Sequence, residues 1–157
     1  MAPQIKADRE YTLVAQIMQV ADIFVKVRER ELLPQNLSST AAEILFLVDA
    51  MGEGVTPARI TRMMLREPHS VSGILMRMEK QGLVKRAKDM ERKNLIRITL
   101  TAKGEKALKQ AMKLSGTARV LSRLTAAQQK ELKATLTALK ETGVKELRLS
   151  PKALPWP

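Results

Sequence analysis

Ser70, Ser72 and Arg77 fall within eight consecutive residues, and their hydroxyl and guanidinium groups are donors suited to anionic oxygens and the polar edges of planar rings. Around them Val71, Ile74, Leu75 and Met78 recur at three- and four-residue spacing, which claims one face of a helix for a core. Ser70, Ser72, Gly73, Met76 and Arg77 are left for the other face, which is small, polar and basic. Such a face suits a phosphate-bearing duplex. Serines and the positive end of the helix dipole can meet phosphates, and an arginine can pair bidentately with guanine. Gly73 lets the helix approach with no Cβ in the way. His69, the sole histidine, reads as a helix-start residue near phosphate and not as a metal ligand. The plainer alternatives are a cap for Ser70, simple exposure for Ser72, tolerance for Gly73 and a solvated Arg77.

These side chains need a helix held firmly at both ends. Glu67-Pro68 supplies its start, because proline fits the first helical turn, and Gly82 its exit. Before it, Thr56-Pro57 opens another helix through Ile60, Met63, Met64 and Leu65, which stops short of Pro68. Arg62 and Arg66 lie on or just after that helix, where they can touch a nucleic-acid backbone. Two short helices across a tight turn form a helix-turn-helix. After Gly82 the period shortens: Leu83–Lys88 and Leu95–Thr101 are β-rich, with Ile96, Ile98 and Leu100 expected on one face. The polar stretch between them makes a hairpin with a charged tip, where Arg92 and Lys93 would read minor-groove width and potential. Their alternative is a solvated turn. Helix, helix and hairpin in this order predict a winged helix-turn-helix.

The flanks are helical. No proline or glycine interrupts Asp8 to Glu31, and Val14, Ile17, Met18, Ala21, Phe24 and Val25 mark an apolar stripe. Leu32–Asn36 breaks that helix, and Thr40 and Glu43, at capping-box spacing, are expected to open the next. Thr101 is expected to cap one long helix from about Ala102 to Ser122, and Thr125 with Gln128 another reaching about Leu147. Helices spanning ~30 Å each exceed what a small winged lobe requires, so they should pack with the first helix against a second subunit. A monomeric helical domain is the alternative. The expected fold is therefore mainly α with a small β-hairpin wing, a winged helix-turn-helix flanked by long dimerisation helices. Residues 8–36 and 102–148 are assigned to dimerisation, 37–101 to the DNA-binding lobe and 149–157 to a proline-rich tail holding Trp156.

Charge and composition narrow the function. The 157-residue chain carries +12, and Val55–Gly104 holds +8 of it, with twelve Lys/Arg against four Asp/Glu. A local positive field of this kind favours nucleic acid or another anionic partner. The chain has no cysteine, which excludes disulfides, thiolate metal sites and a cysteine-oxidation switch and fits a cytoplasmic protein. No stretch approaches 18 apolar residues, so no membrane partner is expected. There is no glycine-rich phosphate loop, metal-ligand cluster or nucleophile–base arrangement, so neither an enzyme nor a cofactor is expected. A rival to operator binding is a winged-helix interaction module that uses the basic face for protein or an anionic surface.

The sequence resembles the MarR family of transcriptional regulators. The resemblance is carried by Leu37-Ser38 with Glu43-Ile44-Leu45, by Ser70-Val71-Ser72 with Met78 through Arg86, and by Leu100-Thr101-Ala102-Lys103-Gly104. It implies a homodimer with two winged lobes that represses, or less often activates, promoters at pseudo-palindromic sites. The helix Ser70–Gln81 would enter the major groove and the hairpin tip the adjacent minor groove. The family's wing usually carries an Asp-x-Arg pair; aligned back from Leu100-Thr101, those positions are Arg92 and Asn94, and the acidic-then-basic order survives only as Glu91-Arg92-Lys93. Release by a small, often phenolic, effector is also implied, in a cleft lined by the first two helices and the start of the helix after Thr101. Tyr11, Phe24 and Phe46 are the only aromatics outside the tail.

Overall fold

α1 (Arg9–Leu32) runs 24 residues with neither proline nor glycine, about 36 Å at 1.5 Å per residue. The computed structural model describes residues 9–52, 55–89, 94–113 and 115–149. The hairpin-tip residues Arg92 and Lys93, and the tail from Ser150 to Pro157, lie outside the described residues. In α1 only Leu32 is buried, so the expected stripe is present but this chain leaves most of it uncovered, with Met18 64% exposed. A single 3-10 turn, Leu33–Gln35, ends the helix at Asn36, whose left-handed φ of 51° redirects the chain.

α2 (Ser39–Met51) is the centre of the core: Ala41, Ala42, Ile44, Leu45, Leu47 and Val48 are all buried. Its cap is Ser38, whose Oγ accepts from the Ala41 amide at 3.1 Å. The expected Thr40–Glu43 capping box is thereby corrected. Ser38 satisfies an orphan amide two residues earlier, leaving Thr40 inside the helix.

α3 (Pro57–Met64) begins as expected, with Thr56 Oγ1 accepting from the Arg59 amide at 3.2 Å. Leu65 turns the chain in a left-handed conformation, φ 51°, and α4 (Pro68–Lys80) follows with Pro68 in its first turn. At its end Gly82 takes φ 71°, and the Leu83 amide donates back to the Met78 carbonyl at 2.9 Å, closing the helix as a glycine C-terminus does. β1 (Val84–Lys88) and β2 (Ile96–Leu100) then pair antiparallel, Val84 opposite Leu100 and Lys88 opposite Ile96. Ile98 is buried, and its amide donates to the Val55 carbonyl at 2.9 Å, stitching the hairpin to the segment that leads into α3. Ile96 does not share that burial, because it pairs with Lys88 at the tip end of the ladder, beyond the core.

Thr101 locks the next helix, α5 (Ala102–Ala111), onto the end of α4. Its Oγ1 accepts from the Gly104 amide at 3.0 Å and donates to the Gly82 carbonyl at 2.6 Å, while Lys103 Nζ donates to the Gln81 carbonyl at 2.7 Å. Gly104 is required by this approach, since a Cβ there would sit 2.0 Å from the Leu83 carbonyl oxygen.

The continuous helix expected from Ala102 to Ser122 is broken. α5 ends at Ala111, and a separate α6 (Ser115–Leu121) is turned onto α1. Glu31 of α1 accounts for the turn: its Oε1 accepts from the Gly116 amide and from Ser115 Oγ, replacing the intrahelical acceptor that a continuous helix would have used. Gly116 fits because a Cβ would lie 2.8 Å from the Glu31 carboxyl and 2.9 Å from Val27. α7 (Ala126–Glu146) starts on the expected capping box, Thr125 with Gln128, at 3.2 and 2.9 Å.

Candidate nucleic-acid interface and the cavity behind it

α4 packs against α3 and β1 and buries Val71, Leu75 and Met78 in the core, which fixes where its other residues point. At 100° per residue, His69, Gly73, Met76 and Lys80 form the row opposite that core, with Arg77 beside it and Ser70 and Ser72 on the two flanks. His69, Met76, Arg77 and Lys80 are exposed, and the two serines are partly buried. Ser70 lies in the first turn, three residues after the N-cap Glu67, so the structure does not support the capping alternative. An added Cβ at Gly73 would lie 4.0 Å from Nη1 of Arg77, so the glycine leaves the outer surface flat beneath the guanidinium.

Arg62 is exposed in the last turn of α3, and Arg66 is exposed in the turn before α4, so both border the outer row. Lys80, exposed at the end of α4, extends the same basic row. Its signal in the sequence is its spacing, four residues after Met76 and three after Arg77. The wing's inner acid–base pair is made by residues other than those the family pattern suggested: Arg97 Nε donates to Asp89 Oδ2 at 2.5 Å. The Asp89 amide also donates to the Leu95 carbonyl at 2.9 Å, which clamps the neck of the hairpin. On its other side the hairpin is tied to α4, where Glu79 accepts from the Arg86 amide at 3.3 Å and pairs with its guanidinium at 3.8 Å.

Behind this face, a cavity of about 520 Å³ opens between α1, α2 and α6. Phe24, Val25 and Arg28 come from α1, Ser39, Glu43 and Phe46 from α2, and Thr117 and Leu121 from α6, with Met112 at the end of α5. Among the described residues Arg28 and Glu43 are the only charged ones in the lining, and Arg28 Nε is buried with no hydrogen-bond partner among them. Burial pushes the Glu43 carboxyl above the usual carboxylate range, against the opposing pull of Arg66 and then Arg28. The expected third wall, the start of the helix after Thr101, is corrected. The wall is the end of α5 together with α6, because the break at Glu31 folds α6 back onto α1. Phe24 and Phe46 line the cavity, whereas Tyr11 is 72% exposed and takes no part in it. Among the described residues no helix is long and apolar enough to cross a membrane.

A MarR family profile matches residues 35–93. No curated protein matches the chain. Among solved structures, the organohalide-sensing transcriptional regulator RdhR-CbdbA1625, in its 2,4-dichlorophenol-bound form, is 33% identical, with a TM-score of 0.80 over 90% of this chain and 86% of that one. A Mycobacterium tuberculosis MarR family protein, Rv2887, in complex with p-aminosalicylic acid, is 28% identical, with a TM-score of 0.66 over 82% of this chain and 98% of that one. A mutant MarR from E. coli complexed with operator DNA is 19% identical, with a TM-score of 0.75 over 82% and 93% of the two chains, a likeness of fold alone.

Proposed function

This chain belongs to the MarR family of transcriptional regulators, and from that premise we propose that it is a homodimeric repressor that binds pseudo-palindromic promoter sites and is released by a small aromatic effector. The observation that carries this reading is the outer face of α4. It presents His69, Met76, Arg77 and Lys80 to solvent around a flat Gly73, while the same helix is fixed by Val71, Leu75 and Met78 from within. A helix held this firmly, with a basic outer row, suits a major groove. Arg77 is assigned a base contact, and Ser70, Ser72, His69, Arg62 and Arg66 phosphate contacts that set register. Arg92 and Lys93 are assigned to the minor groove.

Residues 37–101 form the DNA-binding lobe in this proposal, and 8–36 and 102–148 the dimerising part. The support is the uncovered apolar surface: Val14, Ile17 and Met18 on α1, with Leu132, Leu136 and Leu139 on α7, all stand exposed in the single chain. Water disfavours such a surface, and a second copy would cover it. Two lobes fixed by that interface would read half-sites about 34 Å apart, one helical turn.

The cavity joining α1 and α2 lies between the dimerising part and the lobe, so an occupant can favour one lobe spacing over another. Its aromatic walls and the Arg28 guanidinium in its lining suit a small acidic aromatic, the chemistry of the molecules bound by the 33% and 28% identical relatives. The test is binding of the full chain to the DNA upstream of its own gene against a scrambled duplex, with and without 2,4-dichlorophenol or p-aminosalicylate. Specific binding at least ~10³ tighter than non-specific, weakened by one of the two aromatics, is the expected result. Equal binding to both duplexes would favour an interaction module over an operator-binding protein.

A further inference from the structure

The cavity between α1, α2 and α6 holds one carboxyl group and one guanidinium, and an effector that is itself an anion must compete with the first for the second. We propose that Glu43 is the proton-accepting partner of this cavity: it takes up one proton from solvent when an aromatic anion pairs with Arg28, so that effector binding is coupled to pH. The inference rests on the reading of the cavity as the effector site.

Three observations support it. Phe24, Phe46 and Leu121 give the cavity walls on which a ring can lie. Arg28 lines the same space and makes no ion pair among the described residues, so its guanidinium is left to pair with an incoming carboxylate or phenolate. Glu43 lines the same space, and two negative charges sharing one cation drive one of them to take a proton. The charges acting on Glu43 are Arg66, from the turn ahead of α4, and Arg28 of α1. The other lining residues, from α1, α2, the end of α5 and α6, are uncharged. Burial already disfavours the Glu43 carboxylate, so losing the undivided pull of Arg28 moves it further toward the neutral form.

Arg66, whose charge acts on Glu43, stands in the turn before the helix that faces DNA.

The experiment measures p-aminosalicylate binding to the full chain from about pH 5 to about pH 8, by calorimetry in two buffers of different ionisation heat. The ligand carboxylate stays ionised over this range and adds no titration of its own. The wild-type protein should take up close to one proton on binding, and Kd should rise with pH toward about tenfold per unit in the linked region. Glu43→Gln should still bind, with a flat profile. A carbon-13 signal assigned to the Glu43 carboxyl should titrate at higher pH in the saturated protein than in the free one. Wild-type binding that is flat with pH, or a slope that persists in Glu43→Gln, overturns the proton coupling and leaves the effector site standing. No binding of p-aminosalicylate or 2,4-dichlorophenol at any pH removes the effector site and the coupling together.

Discussion

Arg77 and Lys80 lie three residues apart on one exposed helix face, yet they should behave differently, because Arg77 is assigned a base contact whereas the compact ammonium of Lys80 suits a phosphate. Arg77→Ala should cost about 1–3 kcal/mol at a specific site and leave binding to a scrambled duplex nearly unchanged. Lys80→Ala should weaken both duplexes alike and lower the salt slope by about 1. Anisotropy titrations across a salt series read both effects, and an unchanged ratio of specific to non-specific affinity in Arg77→Ala would remove its base-reading role. Glu43 supplies a stability prediction of definite sign. Its carboxyl titrates higher in the folded state than in the unfolded one, so its contribution is full below the ordinary carboxylate range and is lost as pH rises through the raised one. Glu43→Gln should therefore match wild type in acid and be equally or more stable at neutral pH, as urea unfolding at both pH values would show. The outer face of α4 was legible in the sequence because a helix that buries Val71, Leu75 and Met78 has nowhere else to put Arg77. The cavity pair was not. Arg28 and Glu43 meet only through the packing of α1 on α2, and the sole local sign was an acid beside the buried Ile44 and Leu45.

At the scale of elements, the ends of helices decide the architecture. Thr56, Thr101 and Thr125 act as caps where the sequence placed them, because a cap is a contract between residues two or three apart. The break between α5 and α6 could not be read that way, since it depends on Glu31, 85 positions before the Gly116 amide it accepts from. The Ser38 cap was missed for a different reason: Thr40 with Glu43 satisfied the same local pattern, and only the tertiary position of Glu43 separates them. Gly104→Ala should be strongly destabilising, about 3 kcal/mol, because its Cβ would collide with the Leu83 backbone, which cannot move aside. Leu65→Gly should do the reverse. Leu65 holds a left-handed φ and leaves 54% of its surface exposed, so relieving the backbone should raise stability by about 0.5–1 kcal/mol in denaturant titration. A loss of stability would mean that the Leu65 side chain contributes packing that its exposure does not suggest.

Taken whole, the molecule is a well-packed lobe carried by helices whose apolar surface this chain does not cover. Every core residue of α2 is inside, whereas Val14, Ile17 and Met18 of α1 are outside. The proposed homodimer explains both conditions. Met18→Glu should convert it to monomer in sedimentation without unfolding the lobe, because Met18 is 64% exposed and so little buried in its own chain. The same variant should lose most of its operator affinity, since a single lobe contacts one half-site. The most direct measurement is a footprint of the full chain on genomic fragments that it selects, with the protein-to-DNA ratio determined on the same complexes. Two protected half-sites about one helical turn apart, bound by two chains, are predicted. One isolated half-site bound by one chain, or a selection that returns no preferred sequence, would contradict the dimeric regulator.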